Sequence, residues 1–275
     1  MVVNVITRHA PTNYGSLLQA IATQRVIMNL GYECRIINYI PKCETGVRMA
    51  ITQLEQKTKW RRNPIKKAIY LMVAEPETLL MDRKFLAMRK KYLLMGPRCA
   101  TTGELKKLYA EKKDEVFLTG SDQVWGPIST GHYDPTYFLD FAPKSSRKLA
   151  FAASFGKAIF DEQTLKEYGV LLKKYDSLAV RENVAVELLK KMDISAKQVL
   201  DPTLLMDADA WSEYVKPMKK PEKYVLVYQI HANSDLDHYA VKFAEKAELP
   251  LLRVSPLLHQ AKRSGKFVYC PDISG

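Results

Sequence analysis

The feature that most constrains the fold is the alternation of short, β-branched apolar runs with longer segments of helical periodicity. The chain opens with such a run, VVNVIT, followed by a turn-rich loop and by LLQAIATQRVIMNLG, whose apolar residues recur at helical spacing. This segment ends in Gly31, the residue type most common just after a helix, and a second run, CRIINYI, comes next. Two strands joined through a helix are expected to be parallel, with a right-handed crossover.

The same alternation returns in the middle of the chain. The predicted strands there are EVFLTG, KLAFAASFG, SLAVREN and KQVLDP, and helices are predicted around EQTLKEYGVLLKKY and VAVELLKKM. The first of these strands is apolar throughout its centre, which is typical of a strand buried on both faces. We therefore predict an α/β fold with a doubly wound, mostly parallel sheet.

Residues 41–101 interrupt this pattern inside a predicted N-terminal domain of residues 1–206. The segment is basic, rich in Met and Leu and mostly helical in pattern, so we interpret it as a helical insertion with breaks at Pro64 and Pro76. Residues 207–223 are predicted to be a linker. Residues 224–275 repeat the strand–helix–strand pattern, but some fifty residues are too few for a whole α/β domain, so we predict a partial second domain.

The charge of the chain restricts its partners. It carries 42 Lys and Arg against 30 Asp and Glu, a net charge of +12, concentrated in KTKWRRNPIKK and RKFLAMRKKY. Such runs form solvated helical faces, or bind nucleic acid, anionic membrane surfaces or anionic substrates. Because no helix-turn-helix, zinc-finger or RNP-type signature accompanies them, we expect no nucleic-acid partner. Peripheral contact with an anionic membrane surface stays open.

Composition and motifs indicate a soluble, cytoplasmic protein. The chain is 47% hydrophobic and 26% charged, has no apolar run of the roughly 20 residues that span a bilayer, and shows no signal peptide. Any membrane contact would be at the inner face. The four cysteines lack the spacing of a metal site and are expected to be reduced thiols. The sequence contains no glycine-rich phosphate-binding loop, so its motifs do not indicate a nucleotide cofactor.

Polar residues follow four of the predicted strands, at the points where the apolar runs end. They occur in TNYGSLLQ, GSDQVW, SFG and REN. In parallel α/β sheets, ligands bind beyond the carboxyl ends of the strands, where such loops meet. We therefore predict a shared cleft, whose candidate residues are Asn13, Gly15, Gln19, Gly120, Ser121, Asp122, Gln123, Trp125, Ser154, Gly156, Arg181 and Glu182.

Several of these positions also have a structural explanation that the sequence leaves open. Asparagine, aspartate and glycine are favoured at helix starts and tight turns, and a strand-end arginine can pair with a neighbouring acid. These alternatives apply to Asn13, Gly15, Gly120, Asp122, Gly156 and Arg181, the last with Glu182 as its partner. The only histidine near the predicted cleft, His9, is interpreted as structural or merely exposed.

The order of the motifs resembles that of the polysaccharide pyruvyl transferase family. The resemblance extends to about Met206 and is carried by NYGSLLQAIATQRVIMNLGYECRIINY, LTGSDQVW, YFLDFAPKSSRKLAFAASFG, LAVREN and VLDPTLLM. It implies two Rossmann-like domains in a glycosyltransferase-B-type arrangement, with the active site between them. It also implies transfer of a pyruvyl group from phosphoenolpyruvate to a sugar of a cell-surface polysaccharide or its precursor, which forms a ketal and releases phosphate.

The resemblance also implies roles for individual residues. Arg181 would bind the carboxylate or phosphate of phosphoenolpyruvate, and Asp122, or an imidazole, would assist proton movements. Trp125 would offer a flat face to a sugar ring, with Gln123 and Asn13 bonding to its hydroxyls. No metal and no cofactor are expected besides phosphoenolpyruvate as donor, and the acceptor would be a sugar or a lipid-linked glycan.

The chain departs from the family pattern near its C-terminus. Members carry a Ser-x-x-His-Gly type motif in the second domain, whereas this chain ends before such a motif, and His259 in SPLLHQ does not match it. We interpret the chain as a fragment or a shortened form, whose activity is an open question. Two other functions stay open: a nucleotide-sugar glycosyltransferase of similar architecture, and a non-catalytic module that binds anionic glycans.

Overall fold

The structure is a computed structural model of the 275-residue chain and describes residues 1–45, 51–52, 64–157, 159–216, 220–229 and 233–274. The chain divides into two compact units. The first consists of Met1–Leu71 and Arg89–Asp207, and the second of Met72–Met88 and Ala208–Gly275. In the described part of the chain, no helix is both long enough and apolar enough to cross a bilayer.

The first unit is built on a six-stranded parallel sheet. Its strands are β1 (Val2–Ile6), β2 (Glu33–Ile36), β3 (Val116–Thr119), β4 (Lys148–Ala153), β5 (Ser177–Val180) and β6 (Lys197–Gln198). They lie in the order β2-β1-β3-β4-β5-β6, and every pairing is parallel. The predicted α/β fold with a parallel sheet is confirmed. Because β2 and β3 flank β1 on opposite sides, the direction of winding reverses between β1 and β3.

Helices connect these strands. They are α1 (Tyr14–Asn29), α2 (Pro64–Tyr92), α3 (Thr102–Tyr109), α4 (Glu162–Leu172) and α5 (Asn183–Lys191). Residues Met72–Met88 of α2 belong to the second unit. The predicted end of α1 is confirmed, because Gly31 has a φ of 85° and the backbone N–H groups of Gly31 and Tyr32 bond to the carbonyls of Met28 and Ile27. This turn reverses the chain, which then enters β2.

The core of the first unit is aromatic near the ends of β3 and β4. All four residues of β3 are buried, as its apolar sequence predicted. Phe117 packs edge-on against Tyr109, with ring centroids 5.3 Å apart, and Phe155 stacks on Tyr168 at 5.5 Å. These rings form a rigid base beneath the loops that follow the strands.

The predicted break at Pro76 is wrong. Helix α2 continues through Pro76, while Pro64, the other predicted break, is the first residue of the helix. A proline inside a helix removes one backbone hydrogen bond and costs about 3 kcal/mol. The helical residues after Pro76 include the buried Phe85 and Met88, whose packing offsets this cost. Much of the rest of the predicted insertion, residues 46–50 and 53–63, lies outside the described residues.

The second unit contains a three-stranded parallel sheet in the order β7-β8-β9. Its elements are α6 (Ala208–Ser212), β7 (Val225–Tyr228), α7 (Ser234–Lys246), β8 (Leu251–Ser255) and β9 (Lys266–Tyr269). Asn233 caps α7, because its side chain accepts hydrogen bonds from the N–H groups of Asp235 and Leu236. The predicted domain boundaries and the glycosyltransferase-B-type arrangement stay predictions.

Candidate functional site

The polar clusters singled out in the sequence lie along one edge of the six-stranded sheet. Strands β1, β3, β4 and β5 are neighbours and parallel, and a cluster follows each of them. The carboxyl ends of parallel strands meet at the same edge, where ligands bind in sheets of this class. The structure therefore brings the four predicted clusters to one edge, and the contacts of each residue decide what it does there.

The cluster after β1 consists of Thr12 and Asn13, just before α1, and the first residues of that helix. The Asn13 side chain caps α1 by accepting a hydrogen bond of 2.7 Å from the N–H of Gly15. A Cβ atom on Gly15 would lie only 3.2 Å from the Asn13 Oδ1, so the glycine leaves room for this capping hydrogen bond. Gln19 is 3% exposed and donates to the hydroxyl of Thr7 at 2.9 Å, which ties α1 to the end of β1. In this structure Gln19 is a buried residue that connects α1 to the end of β1, and it does not face a ligand site.

The loop after β3 is fixed by close packing against β1. The N–H of Gly120 donates to the Ile6 carbonyl at 2.8 Å, and a Cβ atom on Gly120 would lie 3.1 Å from Val5 Cγ1. The close approach of the two strands therefore leaves little room for a side chain at this position. The left-handed conformation falls instead on Asp122, whose φ is 84°.

The Asp122 carboxylate is held on both oxygens. Its Oδ1 accepts from the N–H of Gln123 and its Oδ2 accepts from the Ser16 hydroxyl, each at 2.7 Å. The second contact joins the loop after β3 to α1. Backbone strain that is held by such surrounding contacts is common at functional sites.

A carboxylate outside the predicted set joins the loops after β3, β5 and β6. Asp201 accepts a hydrogen bond of 2.7 Å from the Ser121 hydroxyl and one of 3.2 Å from the Arg181 guanidinium. Burial alone would raise the pKa of Asp201, but these bonds and those from Thr203 lower it below its usual range. Asp201 lies near the end of the predicted strand KQVLDP, so the same strand-end rule would have found it.

Arg181, predicted as the anion anchor, already has two acidic partners. Its Nε donates to Glu182 at 2.9 Å, in addition to the contact with Asp201. Burial acts to lower the pKa of Arg181, but the bonds to the two carboxylates raise it above its ordinary value. The alternative explanation, a strand-end arginine paired with Glu182, is thus the one observed, and Glu182 serves as that partner.

Trp125 does not present a face to solvent. The indole is 0% exposed, stacks on Phe138 with ring centroids 5.7 Å apart, and lies 5.0 Å from Phe155. The expectation that a sugar ring stacks on this indole is therefore wrong for this structure, because both neighbours belong to the core. The tryptophan instead anchors the loop after β3 in the aromatic base.

Four of the predicted residues line a cavity of about 250 Å³ between the loops after β3, β4 and β5. Its wall also contains Lys157 and the first turn of α5, and the predicted residues in it are Gln123, Ser154, Gly156 and Glu182. Gly156 has a φ of 68°, and a Cβ atom there would lie 2.8 Å from the Gln123 side chain. Ser154 supports this turn, since its hydroxyl accepts from the N–H of Gly156 at 3.0 Å.

Lys157, which was not among the predicted residues, places a cation in the wall of this cavity. It directly follows the predicted cluster SFG, so an extension of that cluster by one residue would have included it. No acidic partner for Lys157 is found among the described residues, and its ammonium lies 4.8 Å from the centre of the Phe160 ring. Helix α5 begins beside it without a side-chain cap at Glu182, so its first N–H groups add positive potential.

His9 is a structural residue. It is buried between the Thr7 carbonyl, at 3.1 Å from Nδ1, and the Asn38 side chain, at 3.4 Å from Nε2. Burial lowers its pKa to about 4, and the nearby Arg89 acts in the same direction. The imidazole is therefore neutral near pH 7 and enclosed, so His9 does not supply the imidazole that was predicted as an alternative to Asp122.

The predictions for the two basic runs and for a metal site are tested only in the described part of the chain. Arg89, in the basic run RKFLAMRKKY, is buried and donates to the Ala10 carbonyl, so at least this residue has a structural role. Most of the other run, KTKWRRNPIKK, lies outside the described residues, and the membrane contact stays a prediction. Among the residues described, no group of three or more His, Cys, Asp and Glu side chains is placed to hold a metal ion.

Comparison with known proteins identifies the family. The sequence model described as polysaccharide pyruvyl transferase matches residues 13–269, which is most of the chain and includes all twelve candidate residues. No match is found among curated proteins. The chain belongs to the polysaccharide pyruvyl transferase family.

Proposed function

We propose that the protein transfers a pyruvyl group from phosphoenolpyruvate to a sugar of a cell-surface polysaccharide or of its precursor. Family membership supports a pyruvyl transferase. The observation that carries the choice of donor is the cavity between the loops after β3, β4 and β5, which combines Lys157 with the uncapped start of α5. Phosphoenolpyruvate is small and carries a carboxylate and a phosphate, which both require positive potential.

The charges around this cavity favour Lys157 as the main anchor of the donor. The positive charge of the Arg181 guanidinium is largely offset by the carboxylates of Glu182 and Asp201. These two acids engage two of its five N–H groups, and Arg181 is not one of the described residues that line this cavity, so its role in donor binding is secondary. Gln123, whose side chain lies against Gly156, supplies a neutral hydrogen-bonding group to the same cavity.

The reaction requires two new C–O bonds, the loss of phosphate and one proton transfer to carbon. Two sugar hydroxyl oxygens bond to C2 of phosphoenolpyruvate, and the bond between C2 and the phosphate oxygen breaks. One hydroxyl proton ends on C3, which becomes a methyl group, and the other leaves with phosphate. Asp122, held by Ser16 and by the N–H of Gln123, is the proposed group that moves a proton between the hydroxyl and the donor.

Calorimetric titration of phosphoenolpyruvate into the chain tests the donor. We expect saturable binding that weakens by about 10-fold to 150-fold in Lys157→Ala, since a hydrogen bond to a charged group contributes about 1.5–3 kcal/mol. Lys157→Arg should retain most of the affinity. The matched control is Lys173→Ala, which removes an exposed lysine of the same unit for which the described residues provide no ion pair.

Three experimental outcomes distinguish pyruvyl transfer from the two alternative functions, a nucleotide-sugar glycosyltransferase and a non-catalytic glycan-binding module. Release of phosphate from phosphoenolpyruvate, dependent on an added glycan, supports pyruvyl transfer. Binding of a nucleotide sugar but not of phosphoenolpyruvate would instead support a glycosyltransferase. Binding of anionic glycans without phosphate release and without affinity for phosphoenolpyruvate would support a non-catalytic module.

A further inference from the structure

A second cavity, of about 310 Å³, lies at the reversal point of the six-stranded sheet. It is lined by Arg8, residues 10–13, Glu44 and Ser129. Residues 8–13 follow β1 and Ser129 follows β3, so the cavity lies between the two loops that diverge where the winding of the sheet reverses. Such reversal points are the usual ligand sites of open α/β sheets, and the volume falls in the range of roughly 300–1,000 Å³ typical of small-molecule pockets.

The two charged groups in this cavity neutralise each other. Arg8 Nη2 lies 2.6 Å from Glu44 Oε1, and the two side chains are 16% and 6% exposed. Arg8 also donates to the Pro127 carbonyl at 3.3 Å, and Glu44 accepts from the N–H of Ser129 at 3.3 Å. The pair therefore clamps the loop after β3 to the segment after β2 and leaves no net charge to attract an anion.

The remaining wall offers hydroxyl and amide groups. Thr12 and Asn13 project from the loop before α1, and Asn13 uses its Oδ1 in the helix cap. Among the described residues no partner is found for the Asn13 amide nitrogen, so its two N–H groups are available to a ligand. A neutral lining of hydroxyl and amide groups suits a neutral ligand with many hydroxyls better than an anion.

The two cavities share one loop. Gln123 lines the cavity that contains Lys157, and Ser129, six residues further along the same loop, lines the second cavity. We propose that the second cavity binds the sugar acceptor by its hydroxyls, beside the donor in the first cavity. The identity of the ligand as a sugar rests on the proposed function, whereas the location of the site rests on the cavity, its neutral lining and its place in the sheet.

The test uses neutral monosaccharide probes and variants that keep the fold. Methyl glucoside, methyl galactoside and methyl mannoside are titrated into the whole chain, and binding is followed by saturation-transfer NMR. Asn13→Ser preserves the helix cap but removes the amide, and Thr12→Val preserves the shape but removes the hydroxyl. We expect a probe to bind, and each variant to weaken it about fivefold, the factor for one hydrogen bond, with an unchanged melting temperature.

The crossed control separates the two cavities. Lys157→Ala should leave glycoside binding within a factor of two, while Asn13→Ser and Thr12→Val should leave phosphoenolpyruvate binding equally unchanged. Glycoside binding that is unaffected by both variants, that falls with Lys157→Ala, or that is absent for all three probes would overturn the proposal. If a glycoside binds as expected but phosphoenolpyruvate does not, the acceptor site stands and the proposed donor fails.

Discussion

The Ser121 hydroxyl donates a hydrogen bond of 2.7 Å to Asp201, across 80 residues of sequence, and so joins the loop after β3 to the segment after β6. The same carboxylate oxygen receives Arg181 from the loop after β5. One acid thereby fixes the relative positions of three loops at the carboxyl edge of the sheet. Two of these loops, those after β3 and β5, help to build the cavity that contains Lys157, so the shape of that cavity depends on Asp201.

Asp201→Ala should destabilise the first unit and weaken donor binding together. Removal of the acid leaves the buried Ser121 and the partly buried Arg181 without this acceptor, at a cost of about 2–4 kcal/mol. Asp201→Asn should cost less, because an amide oxygen still accepts. Urea unfolding at pH 7 measures the change, with the exposed Asp114→Asn as control. An Asp201→Ala protein as stable as that control would contradict the role of Asp201.

Gly156→Ala and Gly169→Ala should change stability in opposite directions. Gly156 has a φ of 68°, which costs alanine about 1–2 kcal/mol, and the added Cβ would displace Gln123 from its place in the donor cavity. Gly169 lies inside α4 with no atom within 4 Å of a Cβ, so alanine there should stabilise by about 0.5–1 kcal/mol. Equal effects of the two substitutions in thermal unfolding would be inconsistent with this geometry.

The strands and the edge that holds the site could be predicted because their signals are local. An apolar, β-branched run identifies a buried strand, and the carboxyl ends of parallel strands must meet at one edge. The glycine at position 31 predicted the end of α1 for the same reason, since glycine is the residue that most readily adopts the left-handed conformation after a helix. The family resemblance needed only the order of such segments.

The partners of the candidate residues could not be predicted, because tertiary contacts decide them. Trp125 follows a strand end, so its indole was predicted to stack on a sugar ring, but Phe138 and Phe155 enclose that indole in the core. Arg181 was expected to bind an anionic ligand, yet its guanidinium donates a hydrogen bond to Asp201, 20 residues further along the chain. A polar residue at a strand end thus indicates the site, whereas its role depends on what other loops place opposite to it.

Trp125→Ala should destabilise the protein strongly. The indole is buried among Phe138, Phe155 and Tyr175, so its removal leaves a large cavity and should cost about 3–5 kcal/mol. Ile159→Ala is the control, because that side chain is 84% exposed and should change stability by less than about 0.5 kcal/mol. Urea unfolding compares the two. A small effect at Trp125 would restore the possibility that its face is available to a ligand.

His9 should make the protein less stable in mild acid. Its folded pKa of about 4 lies below the ordinary value of 6.5, so between these values the unfolded chain binds a proton that the native state excludes. The contribution of His9 is complete above pH 6.5 and falls, by up to about 3 kcal/mol, as the pH drops to 4. His9→Gln should flatten this slope in urea unfolding, whereas the exposed His132→Gln should not. If His9→Gln keeps the full acid dependence, the loss arises from carboxylates rather than from the buried imidazole.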